Sequence, residues 1–283
     1  MSSATAQLQS EFDSYTPVVL RGMNVRRTEE DRLQFHCLGK VSYEAVRSIQ
    51  LELGRARAAG QCGDAVIVCE HPAVLTLGTR TKPDDLFRSR AEWEAEGIKV
   101  VDVDRGGGPA YHGPGQLMLY PVVSLTERRM GVKDFVHRSL AAIADALRGA
   151  FDIPAEPILD PAGVWVIRRD FDGALVEHGR KIACVGLRIR GGVTDYGFCV
   201  NLKNSLTPYE FFAPCGLPRA QVTTVRQQLG GGSELDVEKF FLPRLMEEMR
   251  SAYADGRPVT SGKPVPLSRA SHRGSLSPGL SGY

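Results

Sequence analysis

Apolar residues recur at intervals of three and four along three stretches of the chain, which is the spacing of one face of an α-helix. The first stretch follows Ser42, whose side chain can cap a helix, and ends before Gly60. The second runs from about Val132 to Leu147, and the third follows Ser233. The positions predicted to pack in the core are Val46, Ile49 and Leu53 in the first helix, Phe135, Val136, Leu140, Ile143 and Leu147 in the second, and Val237, Phe240, Phe241, Leu245 and Met249 in the third.

Short apolar runs predict strands in the middle of the chain. Apolar residues alternate with polar or small ones around Val164 and Val166, and again around Leu187 and Ile189. The predicted strands cover residues 65–69, 98–103, 117–123, 163–168, 182–189 and 196–202. Because no helix follows each strand, we expect the α/β (α+β) class, with a mixed, largely antiparallel central sheet flanked by helices.

The two ends of the chain differ in composition from the middle. Residues 1–18 are polar and are predicted to be flexible. Residues 255–283 are rich in Gly, Pro and Ser, and they hold too few large apolar side chains to offset the entropy of ordering. We therefore expect a single folded domain over residues 19–254, followed by a disordered tail.

Charge and cysteine content narrow the class of protein. The 283 residues carry a formal net charge of +2, so we expect no nucleic-acid partner. No apolar run approaches the ~20 residues of a membrane-spanning helix, so no membrane association is expected. The six cysteines form no C-x-x-C pair, which favours reduced thiols and a cytoplasmic location. Glu11 and Asp13 argue against a transit peptide, and an organellar location is the alternative.

The densest signal for a binding site is the segment Arg105 to Gln116, RGGGPAYHGPGQ. Five glycines and two prolines in twelve residues allow close backbone approach to a ligand and fix the neighbouring turns. Arg105, Tyr111 and His112 add polar groups to that frame. A plain hairpin loop, which needs only one or two glycines, is the alternative. The segment fits neither the G-x-x-x-x-G-K-[ST] nor the G-x-G-x-x-G nucleotide pattern.

Two further positions carry candidate chemistry. Lys181 stands at the head of a predicted apolar strand, where an exposed charge at a strand end is the alternative interpretation. Cys215 lies between Pro214 and Gly216, and these turn-forming neighbours favour an accessible thiol. The other cysteines of interest, Cys37, Cys184 and Cys199, are expected to be small buried residues. Cys62, Cys69 and His71 match no common zinc pattern, so no metal site is expected.

Several segments, taken in order, resemble the motifs of the lipoyl(octanoyl) transferases, which share their fold with biotin ligases and lipoate-protein ligases. The resemblance covers about residues 64–225. The matching segments are Glu70-His71-Pro72 with Thr76-Leu77-Gly78, Arg105 to Gln116 with Tyr120-Pro121, Lys181-Ile182-Ala183 with Gly186, Asn201, and Pro214-Cys215-Gly216. The chain departs from the family pattern at Ala110, where Thr is usual, and at Tyr196, where His is usual. Both departures bear on the shape of the acyl pocket and on chain-length preference.

The resemblance implies which residues carry the chemistry. Cys215 corresponds to the family's nucleophile and Lys181 to its partner. The residues implied to bind the acyl substrate are Arg105, Gly106, Gly107, Gly108, Pro109, Ala110, Tyr111, His112, Cys184, Val185, Gly186, Gly197, Phe198 and Cys199. Arg168, Arg169, Arg188, Arg190 and Arg219 are nearby in sequence and could collectively attract an acidic carrier protein.

The implied activity is transfer of an octanoyl group from octanoyl-acyl carrier protein to a lysine of lipoyl domains, through a cysteine thioester. The implied acceptors are lipoyl domains of 2-oxoacid dehydrogenase complexes and the glycine cleavage H protein, in the first step of endogenous protein lipoylation. We expect a monomer without a cofactor, because thioester exchange and amide formation need no ATP. An ATP-dependent lipoate or biotin ligase and a non-catalytic scaffold for acyl carrier protein or lipoyl domains are the alternatives.

Overall fold

A computed structural model describes residues 33–169, 175–214, 221–231 and 236–254 of the protein. The strands are β1 (Leu33–Lys40), β2 (Asp64–Glu70), β3 (Val74–Leu77), β4 (Lys99–Asp102), β5 (Pro109–His112), β6 (Gln116–Val122), β7 (Ala155–Leu159), β8 (Ala162–Arg169), β9 (Leu175–Arg190) and β10 (Val193–Asn201). The α-helices are α1 (Tyr43–Ala58), α2 (Arg90–Ala95), α3 (Val132–Phe151), α4 (Val225–Gln228) and α5 (Val237–Tyr253). Short 3₁₀ turns occupy Pro83–Asp85 and Thr207–Glu210.

Seven strands form the central sheet in the order β1-β2-β6-β10-β9-β8-β7. The β1–β2 pair is parallel, and every other neighbouring pair is antiparallel. A smaller sheet has the order β4-β3-β5. The predicted fold class, a mixed and largely antiparallel sheet flanked by helices, is therefore confirmed.

The three predicted amphipathic helices cover the two faces of the central sheet. Helix α1 packs Val46, Ile49 and Leu53 on one face, and helices α3 and α5 pack on the other. Ser42 caps α1 by accepting a hydrogen bond from the backbone N of Ala45 at 3.3 Å. The prediction for Phe240 is wrong: its side chain is exposed, because Val237, Phe241, Leu245, Met249 and Tyr253 already form the buried face of α5.

Several elements differ from the sequence prediction. β1, β3, β5 and β7 were not predicted, and β5 lies inside the glycine-rich segment. β9 begins at Leu175, so Lys181 stands within the strand and not at its head. Cys37, expected to be buried, is exposed on β1. The flexible N-terminus and disordered tail predicted for residues 1–18 and 255–283 lie outside the described residues and stay predictions.

In the part of the chain that the structure describes, no helix has the length and apolar character to cross a membrane.

β10 and β6 approach each other closely at Gly197. A Cβ atom built on Gly197 would lie 1.9 Å from the backbone O of Leu119, which cannot move without breaking the strand pairing. By contrast, a Cβ on Gly54 in α1 would meet no atom within 4 Å.

We therefore expect Gly197→Ala to lower the free energy of unfolding by about 1–3 kcal/mol, the usual cost of overpacking. Gly54→Ala is the matched control and should raise it by about 0.5–1 kcal/mol through helix propensity. Urea unfolding of both variants measures the two effects. Equal stability of the two variants would contradict the strand approach at Gly197.

Candidate active site

A cavity opens on the α1 side of the central sheet, between that sheet and the glycine-rich segment. Its volume, with the mouth included, is about 660 Å³. Its wall comes from three segments that are far apart in the sequence, together with residues of α1 and β6, Tyr209 of the second 3₁₀ turn, and Pro214. The lining residues are Tyr43, Arg105, Gly107, Gly108, Pro109, Ala110, Tyr111, His112, Met118, Tyr120, Cys184, Val185, Gly186, Tyr196, Gly197, Phe198, Cys199, Tyr209 and Pro214.

The structure thus brings together nearly all of the residues implied to bind substrate. Gly106 is the exception, since it does not line the cavity and its N donates to the Leu187 carbonyl at 3.3 Å. Tyr43, Met118, Tyr120 and Tyr209 line the cavity and were not identified from the sequence as binding residues. They lie on three different elements, α1, β6 and the second 3₁₀ turn, so no local pattern marks them.

The end of β3 holds the glycine-rich segment in place. Backbone N–H groups of Thr79 and Arg80 donate to the carbonyls of Arg105 and Gly107, both at 3.1 Å. A Cβ on Gly78 would lie 2.3 Å from the Gly107 O, so this contact requires glycine. The T-x-G motif at Thr76 to Gly78 therefore serves to dock the glycine-rich segment.

Arg105 points inward and organises the segment from beneath. Its guanidinium donates to the carbonyls of Gly106 and Gly108 at 3.1 and 3.0 Å, and to both oxygens of Thr76 at 3.0 and 2.7 Å. Gly186 leaves room for it, because a Cβ there would lie 3.0 Å from Arg105 Cδ. These bonds fix three backbone carbonyls around one charge and give the cavity a preorganised wall.

His112 is a neutral, loop-positioning residue in this arrangement. Burial lowers the pKa of its imidazole to about 3. Its Nδ1 lies 2.8 Å from Oε1 of Gln116, an acceptor, so Nδ1 carries the hydrogen and Nε2 keeps its lone pair. His112 therefore has no Nε2 hydrogen to donate to a substrate carbonyl.

A buried hydrogen-bond network connects this loop to the lysine strand. Nε2 of Gln116 donates to Oδ1 of Asn201 at 2.8 Å, and Nδ2 of Asn201 donates to the Thr223 carbonyl at 3.1 Å. The N of Thr223 donates to the Lys181 carbonyl at 3.0 Å. Polar groups in such a network are satisfied by one another, which makes the relative positions of the segments specific.

Lys181 is buried, contrary to the alternative of an exposed charge. Its side chain is 2 % exposed, and no described residue accepts a hydrogen bond from its Nζ. The Nζ lies 5.2 Å from the centroid of the Trp165 ring, within cation–π range. Gly163 makes room for it, because a Cβ there would lie 2.5 Å from Lys181 Cε.

A β-bulge explains how Lys181 comes to face the cavity side. The register of β9 against β8 shifts between Trp165, which pairs with Lys181, and Val164, which pairs with Ala183. Ile182 and Ala183 consequently both pack in the core against α3 and α5. The extra residue reverses the alternation of side chains between the two faces of the sheet. Lys181 therefore points to the face that Cys184 occupies.

Cys184 and Cys199 face each other across β9 and β10 on the cavity wall. Cys184 is half-buried and Cys199 is buried. A hydrogen bond from Cys199, together with the positive charges of Lys181 and Arg105, lowers the pKa of the Cys184 thiol. Both thiols border the cavity, so the expectation that they are only small buried residues is incomplete.

A cluster of charges surrounds the far end of the cavity. Arg47 pairs with Asp195, while Arg188 and Arg190 both pair with Asp104. Arg190 also pairs with Asp195 at 2.7 Å. Arg188 and Arg190, two of the arginines considered for attraction of a carrier protein, are therefore paired with carboxylates of the fold.

Cys215 lies outside the described residues, as do Gly216 and Arg219. The chain on either side of it is described. Pro214, the preceding residue, is buried and lines the cavity. Val222 forms a parallel bridge with Lys181.

The candidate zinc ligands serve other purposes. The two imidazole nitrogens of His71 lie 2.7 Å from the Val41 carbonyl and 2.8 Å from the Tyr120 hydroxyl. Within the described ranges, no three His, Cys, Asp or Glu side chains gather as the ligands of a metal ion would.

Two solved structures with a similar fold are lipoate ligases. A bipartite lipoate protein ligase from Thermoplasma acidophilum superposes with a TM-score of 0.56 and 14 % identity, over 77 % of this chain and 82 % of that one. A lipoate-protein ligase A bound with ATP gives a TM-score of 0.53 and 16 % identity, over 77 % and 85 %. At these identities the likeness defines the fold: a lipoate-ligase-like α/β protein with one cavity-bearing sheet.

Sequence comparison defines the family. The lipoyl protein ligase A/B catalytic domain matches residues 42–250. An octanoyltransferase from Corynebacterium aurimucosum is 37 % identical over 77 % of this chain and 79 % of its own length. One from Chloroflexus aurantiacus is 35 % identical over 70 % and 85 %. The chain belongs to the lipoyl protein ligase A/B catalytic domain family and, within it, to the octanoyltransferases. The acyltransferase class inferred from the sequence motifs is confirmed.

Proposed function

We propose that the protein transfers an octanoyl group from octanoyl-acyl carrier protein to a lysine of lipoyl domains, through a thioester on Cys215, with Lys181 as its acid–base partner. The acceptors proposed are the lipoyl domains of 2-oxoacid dehydrogenase complexes and the glycine cleavage H protein. We still expect the protein to be a cytoplasmic monomer that uses no cofactor.

One observation carries the proposal: both described ends of the chain that flank Cys215 meet the cavity and the lysine. Pro214 lines the cavity directly before the cysteine, and Val222 pairs with Lys181 after it. Because only seven residues, 215–221, connect Pro214 on the cavity wall to Val222 beside Lys181, the spacing supports a role for Cys215 at the same site.

The cavity suits an acyl chain. Its wall is mainly apolar or aromatic, from Met118, Tyr120, Val185 and Phe198 among others. An eight-carbon chain contributes roughly 0.8 kcal/mol for each methylene removed from water, so an apolar wall favours binding of such a donor. The glycine-rich loop supports close approach of backbone to the thioester end.

The chemistry requires two acyl transfers. Thiolate attack on the carrier thioester forms the Cys215 thioester and releases the carrier thiol. The acceptor lysine amine then attacks this thioester, an amide forms, and the Cys215 thiolate leaves. The Lys181 amine can take the thiol proton of Cys215 and pass it to the departing carrier thiolate in the first step. The neutral amine can then take the proton of the incoming lysine in the second step, and the resulting ammonium stabilises the Cys215 thiolate that leaves.

The structure favours positioning, and not proton transfer, as the role of His112. Its low pKa keeps the imidazole neutral at physiological pH, and its Nδ1–H is directed to Gln116. Proton transfer is thus assigned to Lys181, while His112 helps to hold Gln116, Asn201 and the strand pairing in register.

The test compares two acyl sources with a lipoyl domain as acceptor. We expect the purified protein to octanoylate the domain from octanoyl-acyl carrier protein without nucleotide, and to leave free octanoate unused even with ATP and Mg²⁺. Mass spectrometry of the lipoyl domain measures both. Octanoylation that requires ATP and free octanoate would instead favour a ligase, and binding of the domain without any acylation would favour a scaffold.

A further inference from the structure

We propose that Tyr196 sets the length of the acyl chain that the cavity accepts, by closing the end of the cavity remote from Lys181. This inference rests on the proposed acyl-transfer function, because it assigns the cavity to an acyl chain. The side chain forms part of the cavity wall and is buried.

An unusual backbone conformation places the ring there. Tyr196 has φ of 63°, in the left-handed region that a bulky residue rarely adopts. In a regular strand, residue 196 would face the same side as Phe198 and Val200, which pack in the core against α3 and α5. Instead Arg47 of α1 contacts both Asp195 and Tyr196, so two consecutive residues of β10 face the α1 side.

Three contacts hold the ring in this position. The guanidinium carbon of Arg47 lies 4.0 Å from the ring centroid. The Tyr196 hydroxyl donates to Oδ1 of Asp104 at 2.5 Å, and the carbonyl accepts a hydrogen bond from Nε2 of Gln50 at 3.0 Å. The Asp104 side chain is 44 % exposed, so the ring separates the cavity from the surface.

The spacing along β10 from the lysine end of the cavity to residue 196 is close to the length of an octanoyl chain. Gly163 pairs with Cys184, and a Cβ on Gly163 would lie 2.5 Å from Lys181 Cε, so the lysine stem lies beside Cys184. Cys184 faces Cys199, and these two thiols therefore mark the end of the cavity nearer the lysine. Tyr196 lies three residues from Cys199 along β10, which is roughly 10 Å at the usual rise of a strand. Seven carbon–carbon bonds in a zigzag chain span roughly 9 Å at ordinary bond lengths.

Two variants of Tyr196 separate the effect of its ring from the effect of its hydroxyl. Tyr196→Gly removes the ring and suits the left-handed backbone, so this variant should fold. Tyr196→Phe keeps the ring and loses the two hydrogen bonds of the hydroxyl with Asp104, to Oδ1 at 2.5 Å and from the backbone N at 3.3 Å. For each protein we would measure binding of free fatty acids of six to twelve carbons by calorimetry, and transfer from the matching acyl-carrier proteins.

We expect the wild type and Tyr196→Phe to prefer eight carbons, and Tyr196→Gly to gain at least roughly tenfold for twelve carbons relative to eight. An unchanged length preference in Tyr196→Gly would overturn the proposal, as would wild-type protein that binds no fatty acid. If the binding preference shifts in Tyr196→Gly but the wild type transfers no acyl group, Tyr196 does set the chain length and the proposed transferase function is wrong. The two ideas can therefore fail separately.

Discussion

Lys181→Met is expected to fold normally and to transfer octanoyl groups at least roughly 10² times more slowly than the wild type, the usual scale for loss of an acid–base group. Methionine nearly matches the shape of the lysine stem, and no described residue hydrogen-bonds the Nζ that it removes. Stability should therefore stay close to that of the wild type, because the substitution breaks no hydrogen bond to a described residue and keeps the buried stem.

Two further lysine variants sharpen this test. Lys181→Arg should also be inactive, because a guanidinium does not give up its proton and the space beside Gly163 and Trp165 is tight. Lys239→Ala, on the exposed side of α5, is the control and should keep wild-type rates. Steady-state transfer and thermal unfolding measure the two properties. If Lys181→Met keeps more than about a tenth of the wild-type activity, Lys181 is not the acid–base group of the reaction.

Cys215→Ala is expected to reduce transfer by roughly 10³ or more, as deletion of a nucleophile commonly does. The sharpest control is Cys184→Ala. Cys184 lines the same cavity, and its pKa is lowered by Cys199 and by the charges of Lys181 and Arg105, so it is a chemically credible competitor. Cys184→Ala and Cys199→Ala should each keep most of the activity.

The opposite pattern in these cysteine variants would assign the role of nucleophile to Cys184. If Cys184→Ala abolished transfer while Cys215→Ala retained it, the thiol on β9 would be the attacking group. Single-turnover rates with saturating octanoyl-acyl carrier protein distinguish the two cases, because they report the first acyl transfer and not product release.

Sequence patterns predicted the parts of the fold that depend on local spacing. The apolar faces of α1, α3 and α5 repeat over several turns, and the helices form where that spacing predicts. The prediction for Phe240 is wrong because spacing alone gives too wide an apolar face for α5. Only the packing shows which border of that face is exposed to solvent. The short strands β3 and β5 depend on pairing with each other across more than thirty residues, which no local pattern reveals.

The candidate site was predictable as segments but not as geometry. The sequence singled out Lys181 and the glycine-rich segment, yet the direction of Lys181 depends on the bulge at Ile182 and Ala183. Likewise, nothing in the sequence around Arg105 shows that its guanidinium turns inward to Thr76. The left-handed backbone at Tyr196 is fixed by contacts with α1 and with Asp104, which are long-range.

Intact-mass spectrometry of the protein during one catalytic cycle tests the central claim most directly. After mixing with octanoyl-acyl carrier protein, we expect one octanoyl adduct, released by hydroxylamine as a thioester would be and mapped by proteolysis to Cys215. Addition of a lipoyl domain should discharge the adduct and transfer its mass to the domain. An adduct that persists in Cys215→Ala, or octanoylation of the domain by the wild type with no adduct at any time, would contradict the account.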